Sequence, residues 1–465
     1  MPRYSFIGLA VFVVACGSEP VGIRGPLPPA IQSAAVAPNE HNVLSAVVSA
    51  RVLHADSAKV TFRLTDAPAG TEGSTPVFTA TSEIVELPVL GLLPASRYVL
   101  RLVAYGDGGI TVGDQLDLRT DALPAEISRY TTSGADPLPG YVIFAVGRYV
   151  LAIDNTGRVV WYRHFADGAG LNFMAQPNGR YTVRPVTPAA GDLEPWIEMD
   201  ALGTITRTLT CASGLSPRLH DIIVDADGSY RLLCDETRTM DLSALGGVVN
   251  ARVTGTVVQQ ISAAGVLLFH WSPFDHFQIT DLDPADRATS NVNWTHGNAL
   301  DVDTDGNLLV SFRSLGEVTK IDSKTGAVIW RMGGRRNEFA FLDTTMPAFS
   351  RQHSVRSCGA GTLLLLDNLG DPTESRAERY ILDEAARTAR LAHSYGSAPR
   401  VVTEIGGSVQ MLTNGRTLVS FGTAGRVEEY DAAGRLTWRI EGNPGYIFRA
   451  QKIQSLYAPG VGTTR

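Results

Sequence analysis

His220, His296 and His353 are three of nine histidines in the 465-residue chain, and they share a sequence address. His220 stands eight residues before Gly228, His353 eight before Gly361, and His296 ten before Gly306, each glycine closing a short polar turn. Two further turns of the same kind have Leu171 and Gly407 at that position, so neither offers a polar side chain there. Seven residues after the last four of these glycines stand Asp235, Arg313, Asn368 and Gly422. A lone histidine in a strand is usually structural, but three in register are a candidate site. Imidazole serves near neutral pH as nucleophile or proton carrier. Three of them could also bind zinc. Arg313 argues against a metal, because a cation beside a cation is repelled, and points instead to an oxyanion such as sulfate, phosphate or carboxylate.

The elements that must position these groups are β-hairpins. One turn recurs six times, with the approximate pattern Asp-x-x-Gly: at Asp154–Gly157, Asp200–Gly203, Ser262–Gly265, Asp322–Gly326, the degenerate Asp383–Ala386, and Asp431–Gly434. A second turn precedes each of the last five: Asn178-Gly179, Asp227-Gly228, Asp305-Gly306, Ala360-Gly361 and Asn414-Gly415. Asn-Gly and Asp-Gly between apolar runs are strong hairpin signals. Repeats of roughly 50 residues with two hairpins each describe four-stranded propeller blades. The pattern predicts a six-bladed β-propeller over 140–465, with the tail Tyr446–Ile453 supplying the missing inner strand. The strand entering the second turn is then innermost and the next returns antiparallel, so the histidines and Arg313 meet at one mouth of the channel.

At these residues the chain resembles the bacterial aryl-sulfate sulfotransferases. The resemblance rests on Asn293-Trp294-Thr295-His296-Gly297-Asn298, Leu308 to Arg313, Ile321 to Gly326, Trp330 to Gly334, Gln352-His353-Ser354-Val355 and Leu366-Asp367-Asn368. It implies ping-pong transfer of a sulfuryl group from an aryl sulfate donor to a phenolic acceptor, with no nucleotide donor and no cofactor. It also implies His353 as the transiently sulfated nucleophile, His296 and Arg313 as holders of the sulfuryl oxygens, and His220 as proton carrier. Asn298 is a further candidate donor to the substrate. The competing readings are a non-catalytic propeller that binds sulfated or other anionic ligands, and a metal-dependent hydrolase or lyase on the same scaffold.

Residues 28–122 read as short alternating strands, as in Ala46–Val52 and Lys59–Leu64. Leu92-Leu93-Pro94 followed by Tyr98 at the head of an apolar run resembles the tyrosine corner of an immunoglobulin or fibronectin-III-like β-sandwich. Residues 123–139 read as a linker. The first 16 residues combine Arg3, an apolar run and Val13-Val14-Ala15-Cys16, which resembles a lipoprotein signal with Cys16 as the lipid-modified residue; 17–27 would be a tether. An exported chain follows, anchored on the periplasmic side or at the cell surface, and a homodimer is compatible with the sequence. Hydrophobic residues make up 44% and charged residues 19%, a globular composition. The net charge of −7, without a basic block, argues against a nucleic-acid partner. Three cysteines remain after Cys16, and Cys211–Cys234 is the pairing favoured by proximity.

Overall fold

The alternation in the N-terminal segment arises because every second side chain of a strand turns to the same face. In Ser45–Leu53, Ala46, Val48, Ala50 and Val52 are buried. The computed structural model describes residues 26–127, 129–186, 194–342, 349–442 and 444–460. The proposed signal, Cys16 and most of the tether lie outside the described residues. Among those described, the chain is nearly all β, with one four-residue helix at Pro273–His276.

Ser45–Leu53 lies between Ala30–Pro38 and Ile84–Leu90 in one antiparallel sheet. Its buried face shares a core with a second sheet built on Ser57–Leu64 and Arg97–Gly106. Tyr98, at the head of the latter strand, is buried, and its hydroxyl accepts the Leu93 N–H at 2.8 Å. That is the corner expected from Leu92-Leu93-Pro94 and Tyr98. This region does not hang free: Asn39 Nδ2 donates to the Leu202 carbonyl at 2.8 Å and Leu90 N–H to the Tyr457 hydroxyl at 3.1 Å.

Six more sheets follow, each built on a run of four antiparallel strands. In order of their first strands they begin at Phe173–Ala175, Ser216–Val224, Gly297–Val302, His353–Ser357 and Ser408–Met411. The sixth is completed by Ala450–Ile453, which pairs with Tyr141–Val146. The C-terminus therefore supplies the strand missing from the N-terminal hairpins, as the repeat count expects. The segment read as a linker is partly structured, because Thr132–Ser133 adds a strand beside Leu436–Ile440. The glycine turns hold the hairpins: Gly228 N–H bonds Asp225 O and Gly306 N–H bonds Asp303 O, both at 2.9 Å. Their φ values of +82° and +84° favour glycine.

Side chains link the six inner strands into a ring. Gln176, one residue past the first, accepts from Val224 N–H and donates to Ile222 O. Asp221 accepts from Leu300 N–H at 3.1 Å, and Asn298 donates to Gln352 O at 2.7 Å. Ser354 accepts from Val409 N–H, Gln410 brackets the Lys452 peptide, and Gln451 accepts from Ala175 N–H at 2.9 Å. Outside this ring, Trp438, in the Leu436–Ile440 strand, donates to Asn155 O at 2.9 Å, joining its sheet to the sheet of Tyr141–Val146. Buried polar groups are stable when so paired. Cys211 and Cys234 form a disulfide, and Cys358 is a free thiol whose pKa burial pushes up to about 12.

Candidate active site

The three histidines meet at one end of the ring. The ring centroid of His220 lies 5.0 Å from that of His296 and 6.4 Å from that of His353. Phe448 closes the cluster, 5.7 Å from His220 and 6.2 Å from His353. Beneath them Asp221 pairs with Arg356 at 3.0 Å and with Arg449 at 3.3 Å, and these side chains line a small cavity of about 20 Å³ between the inner strands.

Local backbone explains how the side chains reach that point. His296, Arg351 and Ser354 have φ of +48°, +53° and +58°, a left-handed conformation uncommon outside glycine. Such residues persist only where surrounding structure over-determines them, and they cluster at active sites. His296 opens the Gly297–Val302 strand, and its carbonyl accepts the Arg313 N–H at 3.0 Å. Arg313 therefore stands beside His296 at the return of the hairpin, as its spacing implies. Its Nη2 donates to Glu404 O at 3.2 Å, and the residue lines a cavity of about 220 Å³ with Arg351, Arg335 and Ser350.

All three imidazoles are held neutral. Burial, then the charges of Arg313 and Arg449, lower the pKa of His353 to about 4 against the opposing pull of Asn368. Burial, with Arg218 and Arg313, brings His296 to about 2. His220 is driven well below its ordinary value by burial, Arg218 and the two other histidines.

The hydrogen bonds assign tautomers. His353 Nδ1 faces Asn368 Oδ1 at 2.8 Å, so Nδ1 carries the proton and Nε2 the lone pair. The Gly406 N–H approaches that Nε2 at 3.3 Å. His296 Nδ1 accepts from Asn293 Nδ2 at 2.6 Å, which leaves its Nε2–H as a donor. His220 Nδ1 is buried without a hydrogen-bond partner among the described residues. A cavity of about 560 Å³ opens against His220, walled by Arg218, Asp235, Arg184, Glu194, Arg252 and Thr237.

Four of the five residues expected from sequence thus stand at the mouth. Asn298 is spent differently: its Nδ2 holds the Gln352 carbonyl, and its buried Oδ1 has no partner. It steadies the peptide before His353, and what remains to offer a substrate is an acceptor. Sequence reasoning missed Arg218, ion-paired to Asp235, and also Arg449, Phe448 and Gly406. Asp235 carried the one usable signal, since it shares the hairpin address of Arg313. Among the described residues, no group of three or more His, Cys, Asp or Glu side chains is arranged to hold a metal ion.

Neutral burial of these histidines makes the fold acid-sensitive. A histidine whose pKa is lower in the folded chain contributes fully above its unfolded value of about 6.5. That contribution is lost as pH falls toward the folded value, about 4 for His353. The urea midpoint should therefore drop between pH 7.5 and pH 5, and drop less in a His220→Gln/His296→Gln variant. Identical pH dependence in the two proteins would contradict the burial of neutral imidazoles.

Fold and mouth together define a nearly all-β, β-propeller-like protein with three buried, neutral imidazoles gathered near Arg313 at one end of the strand ring. The family model described as Arylsulfotransferase (ASST) matches residues 206–443, just over half of the chain and including all three histidines and Arg313. The chain belongs to the arylsulfotransferase family. Curated proteins yield no match. Among solved structures, a protein of unknown function from Bacteroides caccae is similar at 12% identity and a TM-score of 0.45, over 68% of this chain and 100% of that one. A streptogramin B lyase is similar at 11% identity and a TM-score of 0.38, over 68% of this chain and 85% of its own. A putative gluconolactonase is similar at 13% identity and a TM-score of 0.32, over 69% and 93% of the two chains.

Proposed function

We propose that this arylsulfotransferase moves a sulfuryl group from an aryl sulfate to a phenol by a ping-pong mechanism through a sulfated His353. The observation that carries the reading is the geometry of His353: Nδ1–H donates to Asn368 Oδ1 at 2.8 Å, which leaves the lone pair on Nε2, in a ring that burial keeps neutral beside His220. Nε2 attacks sulfur while the S–O bond to the aryl oxygen breaks. Charge spreading over the sulfuryl oxygens is met by the Arg313 fork and the His296 Nε2–H, a neutral donor and not an imidazolium. One such preorganised donor contributes on the order of 3 kcal/mol to a transition state. The aryl group occupies the cavity against His220. The negative charge of the bound ester raises the pKa of His220, so that it can protonate the leaving phenolate. In the second half-reaction neutral His220 removes the acceptor's proton. Phenols suit this exchange, because their pKa of about 10 lies within reach of an imidazole.

The six ring-linked sheets are, in this reading, the blades of a six-bladed propeller, and the two N-terminal sheets a fibronectin-III-like sandwich. The direct test is transfer from a chromogenic aryl sulfate to phenol, with and without a chelator. No turnover would end the enzyme reading, and sensitivity to chelator would favour a metal-dependent one. We further propose export and anchoring through Cys16, on the signal-like residues that precede it. Cys16→Ser should move the protein from the membrane fraction to the soluble fraction, and unchanged membrane association would refute the anchor.

A further inference from the structure

Asn368 lies in the Thr362–Asp371 strand, seven residues past its turn glycine, at the position where a neighbouring hairpin carries Arg313. Its amide cannot be turned around. Nδ2 donates to the Thr403 carbonyl at 2.9 Å and to the Gly406 carbonyl at 3.0 Å, two groups that only accept. Oδ1 must then face His353 Nδ1, and since a carbonyl oxygen cannot donate, the proton on that bond belongs to the imidazole. The backbone of Asn368 is tied as well, its carbonyl accepting from the Ser375 hydroxyl at 2.7 Å. The residue is fully buried.

We infer that Asn368 is a positioning residue that keeps the Nδ1 proton on His353 throughout the reaction, so that the sulfated histidine remains a reactive imidazolium. The inference rests on the proposed sulfohistidine route. In the first half-reaction the N–S bond forms at Nε2 and the S–O electron pair leaves with the aryl oxygen. Nδ1–H stays in place, so the ring becomes an N-sulfoimidazolium. In the second half-reaction the acceptor oxygen bonds to sulfur and the N–S pair returns to a neutral imidazole. If the Nδ1 proton were lost in between, the intermediate would be a neutral N-sulfoimidazole with a far poorer leaving group. An amide oxygen cannot take that proton, whereas a carboxylate can.

The surroundings allow this distinction to be tested. The charged or titratable groups that bear on His353 are Arg313, Arg449 and the neighbouring His220 and His296. From the 403–406 segment the Thr403 and Gly406 carbonyls accept from Asn368 Nδ2, and Glu404 of the same segment acts on Arg313. The adjacent Asp367 accepts from Ser350 and Gly370 N–H groups and pairs with Arg376 at 3.7 Å.

In Asn368→Asp the second carboxyl oxygen meets those two carbonyls, so the acid copies the amide while protonated and becomes a proton acceptor once ionised. Its transfer rate should show a second descending limb on raising pH, in addition to the one that deprotonation of His220 gives both proteins, with sulfated enzyme accumulating along that added limb. The near-isosteric Asn368→Leu removes the acceptor at nearly constant volume. It should slow the release of nitrophenol in single-turnover mixing with nitrophenyl sulfate by roughly 100-fold with little change in KM. A folded Asn368→Asp enzyme whose pH profile superimposes on the parent's, or a folded Asn368→Leu enzyme within a few-fold of parent rate, would overturn the inference. Should the parent enzyme take up no sulfuryl group from nitrophenyl sulfate, the proposed function itself fails, a result separate from either variant.

Discussion

Replacing His353 by alanine abolishes transfer, lowering the rate by about 10⁵-fold or more, while circular dichroism and the urea midpoint change little. The magnitude follows from removing a nucleophile outright, which in enzymes with concerted catalytic groups costs as much as removing the whole set. The fold should survive because the lost contacts are few. The imidazole bonds Asn368 Oδ1 and receives the long Gly406 N–H contact, and an amide oxygen left unpaired costs about 1–3 kcal/mol. The strand itself remains tied by Ser354 to Val409 and by the Gln352 amide to Ser311. Stopped-flow release of nitrophenol reads the first half-reaction. A residual burst of parent amplitude in the variant would place the nucleophile on another residue.

Arg313→Lys should be nearly as damaging, at roughly 10²- to 10³-fold in the same assay. Charge is conserved, but a guanidinium presents a planar fork while an ammonium is a point charge. Arg313 is already anchored on one side through Nη2 to Glu404 O. A lysine that satisfied that carbonyl would have no second arm for a sulfuryl oxygen. A variant with near-parent rate would mean that Arg313 does not clamp the transferring group.

Much of this site was legible from the chain because hairpin repeats convert sequence spacing into position. His220, His296 and His353 share an address relative to turn glycines, and the inner strands carry that address to one mouth. The closing strand Ala450–Ile453 and the Tyr98 corner were legible for the same reason, since both depend on short-range turn chemistry. The remainder depends on contacts between distant segments. Arg449 meets Asp221 across 228 positions of chain, and Gly406 reaches His353 from the following sheet. No local pattern announces either one. Asn368 falls between these cases: spacing placed it at the mouth, and only the two carbonyls opposite its amide reveal its task. Asn298 illustrates the converse, a residue beside the site whose amide is turned to a neighbouring strand.

The central claim is covalent, and intact mass tests it most directly. Purified protein exposed to an aryl sulfate without acceptor should gain the mass of one sulfuryl group, localised by fragmentation to His353 and removed on adding phenol. An enzyme that turns over donor and acceptor but never carries the group, or carries it on a residue other than His353, would contradict the account.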